Sequence, residues 1–148
     1  MIHNKKDNTV TLDNGKTYNL KATDFRIGNY VGIPTEDAKG KKAITPRRVS
    51  LIAEGVIKAM LNKAIGMELQ ITDGNIVPVK ITEDILEKIG FKCIDKEIGI
   101  FQGQAGVDLV RNGEKGWFFD GNDKTVQYVH ELQNRFYIEK GFEMDCDL

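Results

Sequence analysis

An α+β fold is predicted by three features of the 148-residue sequence. Short runs with alternating apolar positions recur along most of the chain, glycines punctuate them, and one stretch near the C-terminus is amphipathic with helical spacing. Fifteen glycines against three prolines point to tight turns between short strands rather than to flexible linkers. A hydrophobic fraction of 41% with 29% charged residues is that of a globular protein and too apolar for a disordered one. The length supports one compact domain, 1–148, with a mostly β sub-lobe over 9–79 and an α+β sub-lobe over 80–148.

The first element is a hairpin: Thr9 to Leu12, a turn at Asp13-Asn14-Gly15, and Lys16 to Leu20. Asn-Gly supplies the positive-φ residues that a tight turn needs. Phe25 to Ile33 reads as a strand, and the polar stretch Pro34 to Thr45 as a loop. Residues 47–65 are ambiguous. Val49, Ile52, Val56, Ala59 and Met60 lie at helical spacing among good helix formers, and local signals lean that way. The strand alternative is Val49 to Ile52, a turn at Glu54-Gly55, and Val56 to Leu61. Gly55 costs a helix about 1 kcal/mol and suits a turn. Met67 to Thr72 alternates as a strand and ends at Asp73-Gly74.

A short helix opens at Thr82-Glu83-Asp84, where the threonine caps free amides and the acids favour the positive end of the helix dipole. Ile85, Leu86 and Ile89 form its buried stripe, and Gly90 closes it. A meander follows, with strands over 91–94, 98–101, 107–110 and 116–119. Cys93 is expected buried within it. Residues 126–140 form the amphipathic helix, with Val126, Val129, Leu132, Phe136 and Tyr137 inward and Gln127, Glu131, Asn134 and Glu139 outward. Gly141 ends it before an acidic tail.

The net charge of −1 argues against an obligate nucleic-acid binder. The two halves differ, with 12 Lys+Arg against 8 Asp+Glu up to residue 74 and 9 against 14 after it. Cys93 and Cys146 have no CxxC spacing, which fits a reducing compartment. No apolar segment follows the N-terminal lysines, and no run approaches the ~18 residues that span a bilayer. A cytoplasmic protein is the expectation.

Three stretches carry a family resemblance. Asp24-Phe-Arg-Ile-Gly-Asn-Tyr-Val31 resembles "LRIGNYV". Pro78-Val-Lys-Ile-Thr-Glu-Asp-Ile-Leu-Glu-Lys-Ile-Gly-Phe91 is similar to "PIPLTEEILLKLGF". Tyr128-Val-His-Glu-Leu-Gln-Asn-Arg-Phe-Tyr137 with Gly141-Phe-Glu143 is similar to "YVHQLQNLYFALTGEEL". In that order they resemble a family of small uncharacterised proteins encoded in gut-bacterial genomes and their mobile elements or prophages. The chain departs from the pattern at Lys80, in its extra N-terminal hairpin and in its more acidic tail. The resemblance implies short strands between the first two motifs, hence a hairpin around Glu54-Gly55. Four or five strands would then curl into a small SH3-like β-barrel, followed by the short helix, the meander and the C-terminal helix. It implies no activity and no functional residues.

Chemistry-bearing groupings are sparse. His130-Glu131 suggests a zinc-protease motif, but the position one turn on is Asn134, and His3 lies in a terminus expected to fray. No metal site or cofactor is implied. Cys93 and Cys146 offer no evident pairing with His130. The only serine, Ser50, lacks a GxSxG context. The glycine-rich stretch 99–106 ends in neither GK[ST] nor a helix and reads as a hairpin connection. Glu83/Asp84 and Asp120/Asp123 fit a helix start and a turn.

Lys39, Lys41, Lys42, Arg47 and Arg48 form a basic cluster that could meet phosphates, with Tyr30 and Phe25 as aromatic faces if exposed. The plain alternative is a solvated loop. Trp117 and Phe119 share one side of a strand and are either core or a protein-binding patch. The leading expectation is a non-catalytic protein-interaction or accessory module of a mobile element or prophage, with homo-oligomerisation open. A nucleic-acid-binding module using residues 39–48 is the alternative, and an enzyme of unrecognised type the third reading.

Overall fold

The computed structural model describes residues 2–4, 9–12, 15–121 and 124–148. Asn14, at the expected hairpin turn, and Asp123 lie outside them. The fold is α+β, mostly strand in three antiparallel sheets, with one short and one longer helix. The chain divides into two compact units, Met1–Val79 and Lys80–Leu148.

The first unit begins with β1 (Ile2–Asn4), β2 (Thr9–Thr11) and β3 (Thr17–Tyr18), paired in that order. The expected frayed terminus is therefore an edge strand: His3 stands opposite Val10, and its Nδ1 is hydrogen-bonded to Asn75 Oδ1. A 3-10 turn at Ala22–Asp24 leads to β4 (Tyr30–Glu36), β5 (Lys42–Ala53), β6 (Val56–Asn62) and β7 (Met67–Thr72). These four strands form one sheet in sequence order.

Three expectations are corrected here. Residues 25–29 are not strand, and β4 starts at Tyr30. The stretch Pro34 to Thr45 is not a loop but the far half of a long hairpin, in register from Tyr30↔Arg48 to Glu36↔Lys42. Asp37 closes its turn, its Oδ1 accepting from the Lys39 and Lys41 amides at 2.9 Å each. Both faces of this hairpin end are exposed, so the sequence has no apolar alternation to betray it. Finally, the helix favoured by local signals over 47–65 is absent. The chain turns at Gly55, whose φ of +73° only glycine adopts cheaply, and cross-strand burial outweighs helix propensity.

The core of this unit is Ala22, Phe25, Val31, Ile33, Val49, Ile57, Ala59 and Ile76, with Leu20, Ile52, Leu61 and Ile71 against it. No closed barrel forms among the described residues, because β4 and β7 remain the two edges of the sheet.

The second unit opens with α1 (Glu83–Lys88), where Thr82 Oγ1 accepts from the Ile85 amide at 3.2 Å. The meander is β8 (Lys92–Asp95), β9 (Ile100–Gln102), β10 (Asp108–Arg111) and β11 (Trp117–Phe119), extended by β12 (Thr125–Val126). Phe101, Leu109 and Phe119 stand side by side in register and are buried. Cys93 is in register with Phe101 but exposed. It lies on the edge strand β8, next to a bulge, so no further strand covers it.

The helix α2 (Val129–Lys140) starts later than expected, because Val126 pairs with Trp117 instead. Glu131 fixes the start, its Oε1 accepting from the Gln127 and Tyr128 amides at 3.0 Å each in the manner of a capping box. Val129, His130, Leu132, Gln133 and Phe136 are buried, whereas Tyr137, expected inward, is exposed. After Gly141 the tail returns to the unit. The Gln104 side chain donates to the Asp145 carbonyl (2.6 Å) and accepts from its amide (2.8 Å), and Met144 and Cys146 on either side are buried.

Candidate functional site at the open edge of the four-stranded sheet

The expected basic surface is divided by the pleat. Lys39 and Lys41 lie exposed in the β4–β5 turn, and Lys42 stands opposite Glu36. Arg47 and Arg48 are consecutive strand residues and therefore point to opposite faces. Arg48 lies over the Tyr30 ring, 4.7 Å from its centre, and donates to the Gly28 carbonyl at 3.1 Å. Arg47 donates to the Pro46 carbonyl at 2.9 Å. Phe25 and Tyr30 are buried, so neither offers a stacking face.

Trp117 and Phe119 are 5% and 1% exposed. They are core and not a patch, with Trp117 edge-on to Phe101 at 5.4 Å and under Arg111 at 5.2 Å. A cleft of about 220 Å³ beside them contains Lys80, Glu83, Arg111 and Gln127. Its Arg111 is already committed to an ion pair with Glu83. His130 is buried and stacked on Tyr128 at 6.0 Å. Its neighbour Glu131 is occupied at the helix start. Ser50 Oγ donates to the Lys58 carbonyl and to Glu68. Among the described residues no group of three His, Cys, Asp or Glu side chains could hold a metal ion. Nor is any helix among them long and apolar enough to cross a membrane.

Another cleft belongs to the first unit. It measures about 500 Å³ and is bounded by Gly32–Pro34 of β4 and Leu69–Thr72 of β7, with His3 and Asn75 at its side. That volume lies within the ~300–1,000 Å³ typical of ligand sites. The lining residues are consecutive on both strands. Neighbours along a strand face opposite ways, so what they share is the strand edge. The cleft is thus the open seam where the sheet curls without closing.

The inner face of β7 explains its character. Ile71 pairs with Ile57, and Leu69 with Ala59. Opposed residues share a face, so Leu69 continues the core face, followed by Met67 two residues back. Yet Leu69 is 38% and Met67 46% exposed, because no strand among the described residues covers them. Apart from His3, no ionisable side chain lines the seam.

Backbone phase adds a further property. The Asp73 amide donates to the Gly55 carbonyl at 2.9 Å. Alternation along an antiparallel ladder then turns the backbone groups of Thr72, Gln70 and Glu68 away from β6. On the other side of the seam, the outward amide of Gly32 donates to the Val77 carbonyl at 2.7 Å. The next outward position is Pro34, which has no N–H. Proline is a common device for blunting an edge strand, so β4 offers no amide at Pro34, whereas no described residue pairs with the outer edge of β7.

Reading the residues in order did not find this site. Met67, Leu69 and Ile71 were legible as an alternating strand, but edge status follows from sheet order. The one local signal was Pro34 directly after an apolar run, which marks an edge strand. No protein-family model, no curated protein and no solved structure matches the chain.

Proposed function

We propose that this chain is a non-catalytic protein-interaction module, an accessory protein of the mobile-element or prophage kind, and that a partner binds in the seam between β4 and β7. The observation that carries this reading is the continuation of the core face, through Ile71 and Leu69, into a cleft whose lining, apart from His3, holds no ionisable side chain among the described residues. Apolar surface of this kind is costly to leave in water and is a common mark of an interaction site. In this reading the curled four-stranded sheet is an open version of a small SH3-like barrel, with the missing closure used for binding.

The alternative is a nucleic-acid-binding module. Exposed Lys39 and Lys41 at one hairpin tip favour it, while the opposed Arg47 and Arg48 and the buried aromatics weigh against it. Cross-linking of a partner from the source cell, repeated with two variants, separates the two. The interaction reading expects loss of the partner with Leu69→Asp and its retention with the Lys39→Glu/Lys41→Glu double variant. The reverse pattern, together with salt-dependent retention on DNA or RNA, overturns it.

A further inference from the structure

We infer that the partner enters the seam as an extended strand, hydrogen-bonded to the free edge of β7 and uncharged along the part that faces the cleft. This inference rests on the reading of the seam as the binding site and specifies how it is filled.

Four observations converge on strand addition. First, β7 is a six-residue strand whose backbone groups at Glu68 and Gln70, and whose amide at Thr72, point away from β6 by the phase set at Asp73. The Thr72 carbonyl is already taken by the Asn75 amide at 3.0 Å. Second, β7 carries no proline and, among the described residues, pairs on one side only. The opposite lip is blunted by Pro34, so an incoming strand has one edge to bond to. Third, the chain itself begins this closure. Val77 pairs with Gly32 of β4 as an isolated bridge, which occupies part of the opposite lip, whereas no described residue pairs with the outer edge of β7. Fourth, the seam is lined by Ile33, Pro34, Leu69, Gln70, Ile71 and Thr72. Such a lining complements apolar and small polar side chains and, among the described residues, holds neither lysine nor arginine, with His3 at its side. In strand addition the main chain supplies affinity, and alternate side chains in pockets supply specificity. Here the side chains facing inward would meet Ile33, Leu69 and Ile71.

The test begins with the full chain alone. Amide hydrogen exchange followed by NMR should show Leu69 and Ile71 protected and Glu68 and Gln70 exchanging freely. The opposite phase overturns the proposal. A displayed library of random linear peptides is then selected against the protein. The expected binders have uncharged, alternately apolar sequences and lose binding to Leu69→Asp. When they bind, exchange at Glu68, Gln70 and Thr72 should slow by about tenfold or more. Gln70→Pro removes one outward amide without touching the β6 ladder and should weaken them about three- to tenfold, the worth of one hydrogen bond. Gln70→Ala, which keeps the amide and removes only the side chain from the cleft lining, should weaken them less than Gln70→Pro does. Peptides that depend on Leu69 but leave these amides unprotected and tolerate Gln70→Pro overturn strand addition while sparing the cleft. If no peptide depends on Leu69, the reading of the cleft fails as well.

Discussion

The two units solve the same problem differently. In the second, a five-stranded meander and a helix each bury an apolar row: Phe101, Leu109 and Phe119 of the sheet and Leu132 and Phe136 of α2 are all buried. In the first, a four-stranded sheet curls round its core but stops short, and the last strand carries the core pattern into the open at Leu69 and Met67. Both patterns read as ordinary strands in sequence. What distinguishes them is whether a further element arrives to cover the face, and that is a property of topology. The contrast teaches that apolar alternation marks a face to be buried without saying by what.

The contrast makes measurable differences. The largest is expected in the second unit. Phe136→Ala, at a fully buried position on α2, should cost about 3–5 kcal/mol through lost contacts and a residual cavity, read by urea denaturation with an unchanged slope. A smaller loss belongs to Thr82→Ala, which removes the cap of α1. It should cost about 1 kcal/mol, measured in the same way. The smallest belongs to the seam. Leu69→Asp should change stability by no more than about 0.5 kcal/mol while abolishing seam binding. If it destabilises as Phe136→Ala does, Leu69 is core after all, and the distinction between the units disappears.

How much of this was legible in sequence follows a physical line. Elements announced by local chemistry were read correctly. The alternation of Met67 to Thr72, the Thr82 cap followed by two acids, the meander strands and the inward positions of Leu132 and Phe136 all appear in the structure. Elements decided at long range lack such local marks. Val49, Ile52, Val56, Ala59 and Met60 stand at helical spacing, yet pairing with β4 and β7 overrides that preference, and the hairpin around Glu54-Gly55 that the family resemblance implies is what forms. The far end of the β4–β5 hairpin is wet on both faces and so carries no period. It is held instead by backbone pairing, by the Asp37 turn and by cross-strand contacts such as the 2.8 Å pair of Thr35 and Thr45 hydroxyls. Cys93 follows the buried alternation but sits on an edge. The candidate site shares this origin. The basic cluster was visible because charge is local, and it was divided because the pleat is not. The seam was invisible because it is an absence of pairing.

The double hydrogen bond from Gln104 to Asp145 has a consequence for the chain's two thiols. A side-chain amide here takes the role of a neighbouring peptide group and seats the last residues as firmly as a short strand would. Cys93 is then the sulfur that an alkylating reagent meets first, whereas Cys146 becomes reactive only when the tail lifts. Its rate of modification is a built-in clock for how often this end of the molecule breathes.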